Sequence, residues 1–471
     1  MLGMNRKTLS ALLLFSLAAL VQGCGGGGGH ASCTLGAGDC DMGQVCEQLI
    51  SGDGAQCFAP VQIEGRVFDA IDDMGVAGAS VVALDVNGGA RSVVAESDLN
   101  GHYVLPVAVT RNDDGSYANE ALTLRVSATG YQDFPKAPRT ALPIELGTGA
   151  TDGGTSVVQN AATDVALIPL PGDVSGLHRI EGHVDGNDTG GVLVIAEVGG
   201  TAVTTAISDS DGDFVLFNVP DGAIDVKGFR QGLVVTPASV TMAGADVTGV
   251  LLATSTDGLA TVSGSVNLVN PGDGSLTSVI LVVASTFDAD AVRGEAPAGL
   301  RAGDVSGAWT IEGVPPGRYV VLAAFENDFI VRDPDAGISG TDIVTVDVPA
   351  GGDVAAGDFK ITGAMAVVSP GADGIELITD PNPTLRWERD SSIDGYLVRV
   401  IDALGNEVDA AEVVNVSGQA VQEYVYAGPA LQSGMIYQFR VVSFADSPSM
   451  DRLYRSATED LKGVFQFQAA P

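Results

Sequence analysis

A chain of 471 residues, 45% hydrophobic and 17% charged, is long enough for several domains and too apolar to be disordered over most of its length. Its 59 acidic and 23 basic side chains leave a net charge of −36, which repels phosphate backbones and argues against nucleic acid as a partner. Sixty-two glycines with only 6% aromatic residues point to many tight turns, as in all-β proteins.

The chain opens with Arg6 and Lys7 ahead of an apolar stretch from Leu9 to Val21, then Gln22, Gly23 and Cys24. A basic start, a short apolar run and a small residue before the cut describe a secretory signal, and the run is too short for a comfortable membrane span. The stretch "LVQGC" resembles the bacterial lipobox, with Val21 where leucine is commoner. That resemblance implies that residues 1–23 are removed and that Cys24 becomes the acylated first residue of the mature chain. Gly25, rather than aspartate, follows the cysteine, which by the same resemblance favours the outer membrane of a Gram-negative cell envelope. Residues 24–32, with glycines at 25 to 29, read as a flexible tether.

The other four cysteines, Cys33, Cys40, Cys46 and Cys57, cluster in residues 33–60, and none follows. An even, clustered set in an oxidising compartment reads as two disulfides, with three possible pairings. The alternative, a Cys₄ zinc site, lacks the usual C-x₂-C spacing.

Beyond Pro60 the chain alternates strands and turns. Three segments open alike, "IEGRV" at Ile63, "IEGHV" at Ile180 and "VSGSV" at Val262. Each is followed by an apolar strand ("ASVVAL", "GVLVIAEV", "SVILVVAS"), then by an Asp-x-x-Gly turn leading into an aromatic-bearing strand. A further strand comes next, and each unit closes on another alternating stretch, near Val165, Val247 and Phe359. One strand order recurring along the chain predicts duplicated β-sandwiches. The opening motif, "GVAGASVVAL", the Asp-x-x-Gly-x-aromatic turn and "VPPGRYVVLAA" resemble the carboxypeptidase regulatory-like domain, which implies a seven-stranded transthyretin-like sandwich. Residues 61–172, 177–256 and 259–364 are expected to form three such modules, the third carrying insertions near Asp288 to Gly303 and Asn327 to Thr341.

The turn "SDSDGDFVL" raises the question of calcium. Asp209, Asp211 and Asp213 offer three carboxylates, but Gly212 stands in the wrong place for an EF-hand and no closing glutamate follows. The related turns carry Asn100 or Ser306 in place of Asp211, and His102 or Ala308 in place of Asp213. What all three share is a turn, with Tyr103, Phe214 or Trp309 pointing into a core.

Residues 365–471 differ. Trp387 near the end of one strand, Tyr396 at the start of the next, and Tyr437 six residues after Leu431 resemble fibronectin type III. In that family such aromatics are core residues, and the tyrosine hydroxyl bonds upstream backbone. The fold class expected for the whole chain is therefore all-β, tandem antiparallel sandwiches behind a small cysteine-rich segment.

Catalytic signatures do not assemble. His178 and Glu181 match H-x-x-E, but they fall at the entrance to a predicted strand, and His183 follows too closely to be a distant third ligand. No nucleophile elbow and no P-loop occurs. The expectation is a non-enzymatic cell-envelope lipoprotein without a cofactor: a tethered row of sandwiches acting in binding or adhesion at the cell surface, with a protein or glycan partner. A carbohydrate-binding accessory protein is the alternative, by fold analogy to starch-binding sandwiches, and a hydrolase comes third. The inserted loops of the third module, with Asp333, Asp335 and Asp342, are the candidate partner surface.

Overall fold

The computed structural model describes residues 30–34, 40–41, 43–51, 54–137, 139–152, 155–269, 277–289, 292–323, 330–331, 343–447 and 450–469. Strands dominate, and the helical turns among these residues are two short 3₁₀ turns, Leu146–Thr148 and Ala284–Thr286. No helix of the described residues is long and apolar enough to cross a membrane.

The cysteine-rich segment forms a three-stranded sheet of Ser32–Cys33, Ala55–Phe58 and Val45–Gln48. Its cystines are Cys33–Cys46 and Cys40–Cys57, which selects one pairing from the three open to the sequence. So small a sheet has little apolar area to bury, and covalent closure compensates.

Three two-sheet units follow on one plan. The opening strands Val61–Asp69, Leu177–Asp185 and Ala260–Val269 pair antiparallel with the aromatic-bearing strands His102–Val107, Asp213–Pro220 and Ala308–Val314. On its other edge each opening strand pairs in parallel with a closing strand, Val165–Leu167, Val247–Ser255 or Phe359–Gly363. The sheets are therefore mixed at this position within otherwise antiparallel sandwiches. Facing them are antiparallel pairs: Ser80–Leu84 with Ala121–Ser127, Leu193–Val198 with Gly222–Arg230, and Thr277–Val283 with Gly317–Ala323. In the second unit Leu233–Val235 bridges to Val247–Ser255, so its two sheets join along one edge. The last stretch has sheets of three and six strands. Trp387 and Tyr396 meet edge to face at 5.2 Å in its core, and the Gln432 N–H donates to the Tyr437 hydroxyl at 2.8 Å.

The opening strand of the first unit alternates buried and half-buried residues over all nine positions, the pattern of a sheet with one face on a core. The second strands do not alternate. In Ser80–Leu84, Val81 and Ala83 point into the first unit's own core, while Val82 and Leu84 point outward. Those outward residues join Leu193, Ile195, Ile207 and Phe229 of the second unit and the core of the third in one apolar cluster. Each such side chain, fully buried, contributes about 1.5–3 kcal/mol.

The units follow one another along the chain, and they also pack against one another through shared apolar cores. The first also meets the last, since Arg139 donates to the Leu404 carbonyl and Ile436 and Val464 complete the first unit's core. The sheets have too much apolar surface on both faces to stand alone in water.

Candidate functional site

The aspartate turns are built alike in the first two units. The carboxylate of Asp209 accepts the amides of Asp211 and Asp213, both at 2.9 Å. Asp98 accepts those of Asn100 and His102 at 2.8 and 2.9 Å. These backbone donors hold the Asp98 carboxyl below its ordinary range. Gly101 and Gly212 take φ of 82° and 92°, which only glycine adopts without strain. Asp213 meets Nδ1 of His183 at 2.8 Å. The aspartates thus close the loops that lead into Tyr103 and Phe214, both 3% exposed.

The third unit keeps a turn at this place, where the Gly307 carbonyl accepts the Val266 amide as Gly101 and Gly212 accept those of Val67 and Val184, but its aspartate is placed differently. There Asp304 itself sits at φ 54° at the end of strand Arg301–Val305, and it does not cap the loop as Asp98 and Asp209 do. Sequence reading also missed the residue before the aspartate. Ser97 accepts from Ala79 N–H and donates to the Val76 carbonyl, and Ser208 does the same with Val192 and Thr189. Both serines are buried, and the third unit has Gly303 in that place. The shared "SD" was the available signal.

The H-x-x-E pair does not converge as a metal site. His178 Nε2 lies 3.4 Å from a carboxylate oxygen of Asp221 without a hydrogen bond. Glu181 lies 3.2 Å from Arg179. Among the described residues, the group of metal-ligand side chains that does converge is Cys33, Cys40 and Cys46, whose sulfurs are already committed to the cystines. Cys24, Asp333, Asp335 and Asp342 lie outside the described residues, as does the second insertion of the third unit apart from the short strand Ile330–Val331.

The first insertion is a structural cover. Val292 and Ala296 bury themselves against Ile280, Val282, Val320 and Leu322 on the outer face of the third unit's sheet, while Leu300 joins the core on its inner face with Val279 and Leu281. Its carbonyls of Glu295 and Leu300 accept the Val283 and Leu281 amides at 3.0 Å each. It shields both an apolar face and a strand edge.

Beside it, between the second and third units, runs a half-open cleft of about 580 Å³. Phe229, Val235 and Pro237 form one wall, with Val283, Phe287 and Ile343 on the other. Glu197 and Lys227 stand on adjacent paired strands, and Nζ of Lys227 donates to Glu197 at 2.6 Å. The glutamate is only 3% exposed, whereas the lysine side chain is 34% exposed. Arg318 of "PPGRY" completes the charged lining. The unbroken apolar run "VLVIA" inside "GVLVIAEV" was the sequence sign that this sheet faces a neighbour on its outer side.

A second polar centre ties three units together. Arg125 of the first donates to the Thr205 carbonyl of the second at 3.0 Å, and lies 3.5 Å from Glu295 of the third. Asp133 stands beside it, and burial pushes its carboxyl above the ordinary range while Arg125 and Ser127 pull it down. The cysteine-rich sheet is held by another buried pair, Glu47 with Arg111. Glu47 also accepts the Val109 amide at 2.9 Å.

No family model matches the chain, and no curated protein matches it. Among solved structures, the Bacillus anthracis TIE protein is 12% identical, covering 83% of this chain and 68% of its own at a TM-score of 0.17. A Streptococcal ancillary pilin is 10% identical, with 63% and 98% covered and a TM-score of 0.16. A DUF3823 family protein from Bacteroides ovatus is 10% identical, with 44% and 98% covered and a TM-score of 0.20. Similarity of this size carries no argument, and the multi-unit β-sandwich architecture rests on the pairings described above.

Proposed function

We propose that this protein is a non-catalytic lipoprotein of the cell envelope whose sandwiches form a binding scaffold at the cell surface. The modules are residues 61–172, 177–256 and 259–364, like the carboxypeptidase regulatory-like domain, and residues 365–471, like fibronectin type III. The observation that carries this reading is the pair of cystines, Cys33–Cys46 and Cys40–Cys57, directly after "LVQGC". Disulfides that close a sheet too small to stand by itself belong to an oxidising compartment, and a lipobox-like cysteine nine residues upstream of the first of them supplies the anchor. Anchoring by several acyl chains is far firmer than by one, each buried CH₂ contributing about 0.8 kcal/mol. The scaffold reading draws on the cleft, where apolar walls and three charged side chains suit holding a molecule. Both tryptophans are in cores, Trp309 at 4% and Trp387 at 0% exposure, so neither offers a stacking platform for a sugar.

The test is metabolic labelling with a palmitate analogue followed by fractionation. Wild type is expected to be labelled and to sediment with membranes, and Cys24→Ala to lose both properties. Label retained by Cys24→Ala would overturn the anchoring.

A further inference from the structure

We infer that the cleft between the second and third sandwiches binds a single-chain amphipathic carboxylate, a fatty-acid-like molecule. This rests on reading the protein as a binding scaffold and names the chemistry its cleft would take. A volume of about 580 Å³ falls within the range of small-molecule sites, which are mostly apolar with a few placed polar groups. The walls are mainly aliphatic and phenyl carbon, including Val235, Pro237, Val283, Phe287 and Ile343. An acyl chain laid between them removes that carbon from water, strengthening binding roughly fourfold per methylene.

Charge selects the head group. Among the described lining residues Glu197 is the one acid, and it is already joined to Lys227 at 2.6 Å. An ammonium has three donors, and that of Lys227, one-third exposed, makes no other hydrogen bond among the described residues. Arg318 is 65% exposed, and its one ion-pair neighbour among the described residues, Asp347, is 3.7 Å away and 84% exposed. Exposed pairs at that distance are weak, so the guanidinium is available to a ligand. The cleft therefore presents unspent positive charge on a chain of net charge −36. A cationic amphiphile would find its repulsion there, and an anionic one its attraction. A neutral amphiphile would gain only the apolar walls.

The full chain carrying Cys24→Ala needs no detergent and allows calorimetric titration with octanoate, decanoate and laurate below their micelle concentrations. One saturable site is expected, tightening roughly fourfold per methylene, with dodecanol and dodecylamine at least about tenfold weaker than laurate. Arg318→Glu is expected to weaken laurate about tenfold with an unchanged melting temperature, because the side chain is exposed. Ala284→Trp, which fills the cleft, is expected to abolish binding. Absence of laurate binding to the Cys24→Ala chain would overturn the proposal. So would dodecanol or dodecylamine matching laurate, Arg318→Glu binding like the parent, or a two-chain anionic phospholipid displacing laurate stoichiometrically. Anchoring is read separately by labelling, so either reading can fail while the other stands.

Discussion

Gly182 lies directly across the strand pair from Phe214, and Gly65 and Gly264 hold the same places opposite Tyr103 and Trp309. The fourth sandwich repeats the arrangement with Gly395 and Phe444. A side chain at Gly182, Gly264 or Gly395 would occupy the space over which the aromatic ring lies, and one at Gly65 would meet the Thr163 carbonyl and the Tyr103 hydroxyl. A Cβ at Gly182 would come within 2.4 Å of both the Phe214 ring and the Val250 carbonyl oxygen. At Gly264 its close neighbours are atoms of the Trp309 ring, the nearest at 2.6 Å. A ring can swing, whereas a carbonyl in a parallel strand pair cannot move without breaking the ladder. Gly182→Ala is therefore expected to cost about 3 kcal/mol, and Gly264→Ala measurably less. Urea denaturation of both variants checks the order, and equal losses would count against the carbonyl as the deciding contact.

The elements show why some of this architecture was legible and some was not. Alternation in Val61–Asp69 marks a strand with one buried face, and that much follows from residue order. The position of the motif glycine is also readable, but its reason is not, because Phe214 meets Gly182 only after the strands have paired. The runs "ASVVAL" and "GVLVIAEV" announce two buried faces without saying what covers the second. The first insertion of the third unit read as a surface loop because its turn residues and acids hide a sparse apolar set. Val292, Ala296 and Leu300 are spaced at intervals of four and fit neither strand nor turn. Leu300 is 1% exposed and its carbonyl accepts the Leu281 amide, so it behaves as a core residue although it lies outside any strand. Leu300→Ala is expected to destabilise by about 2–4 kcal/mol. A dispensable loop would lose under about 0.5 kcal/mol, and thermal or chemical unfolding separates the two. The cleft was invisible for the same reason: Glu197 and Arg318 are 121 residues apart and share a surface only because the two sheets lie face to face.

At the scale of the molecule, the question is what holds sandwiches together that the sequence presents as a succession. Apolar contact supplies area, as where Val82 and Leu84 enter the core of the third unit, but such contact is tolerant of sliding. Orientation comes from the polar junction of Arg125, Thr205 and Glu295. Asp133 faces Arg125 and Ser127, with Glu295 and Lys136 also near. Burial raises its carboxyl above the ordinary aspartate range, so the folded protein holds that proton more tightly than the unfolded chain. The stability it contributes is fully present below the unfolded pKa and is lost as pH rises through the higher folded value. Asp133→Asn keeps a polar group beside Ser127 and has no charge to desolvate. It is expected to raise stability at pH 8 and to flatten the fall in melting temperature between acidic and neutral pH. Loss of stability at pH 8 instead would mean that the ionised carboxylate, by its attraction to Arg125, clamps the three sandwiches more strongly than its burial opposes them.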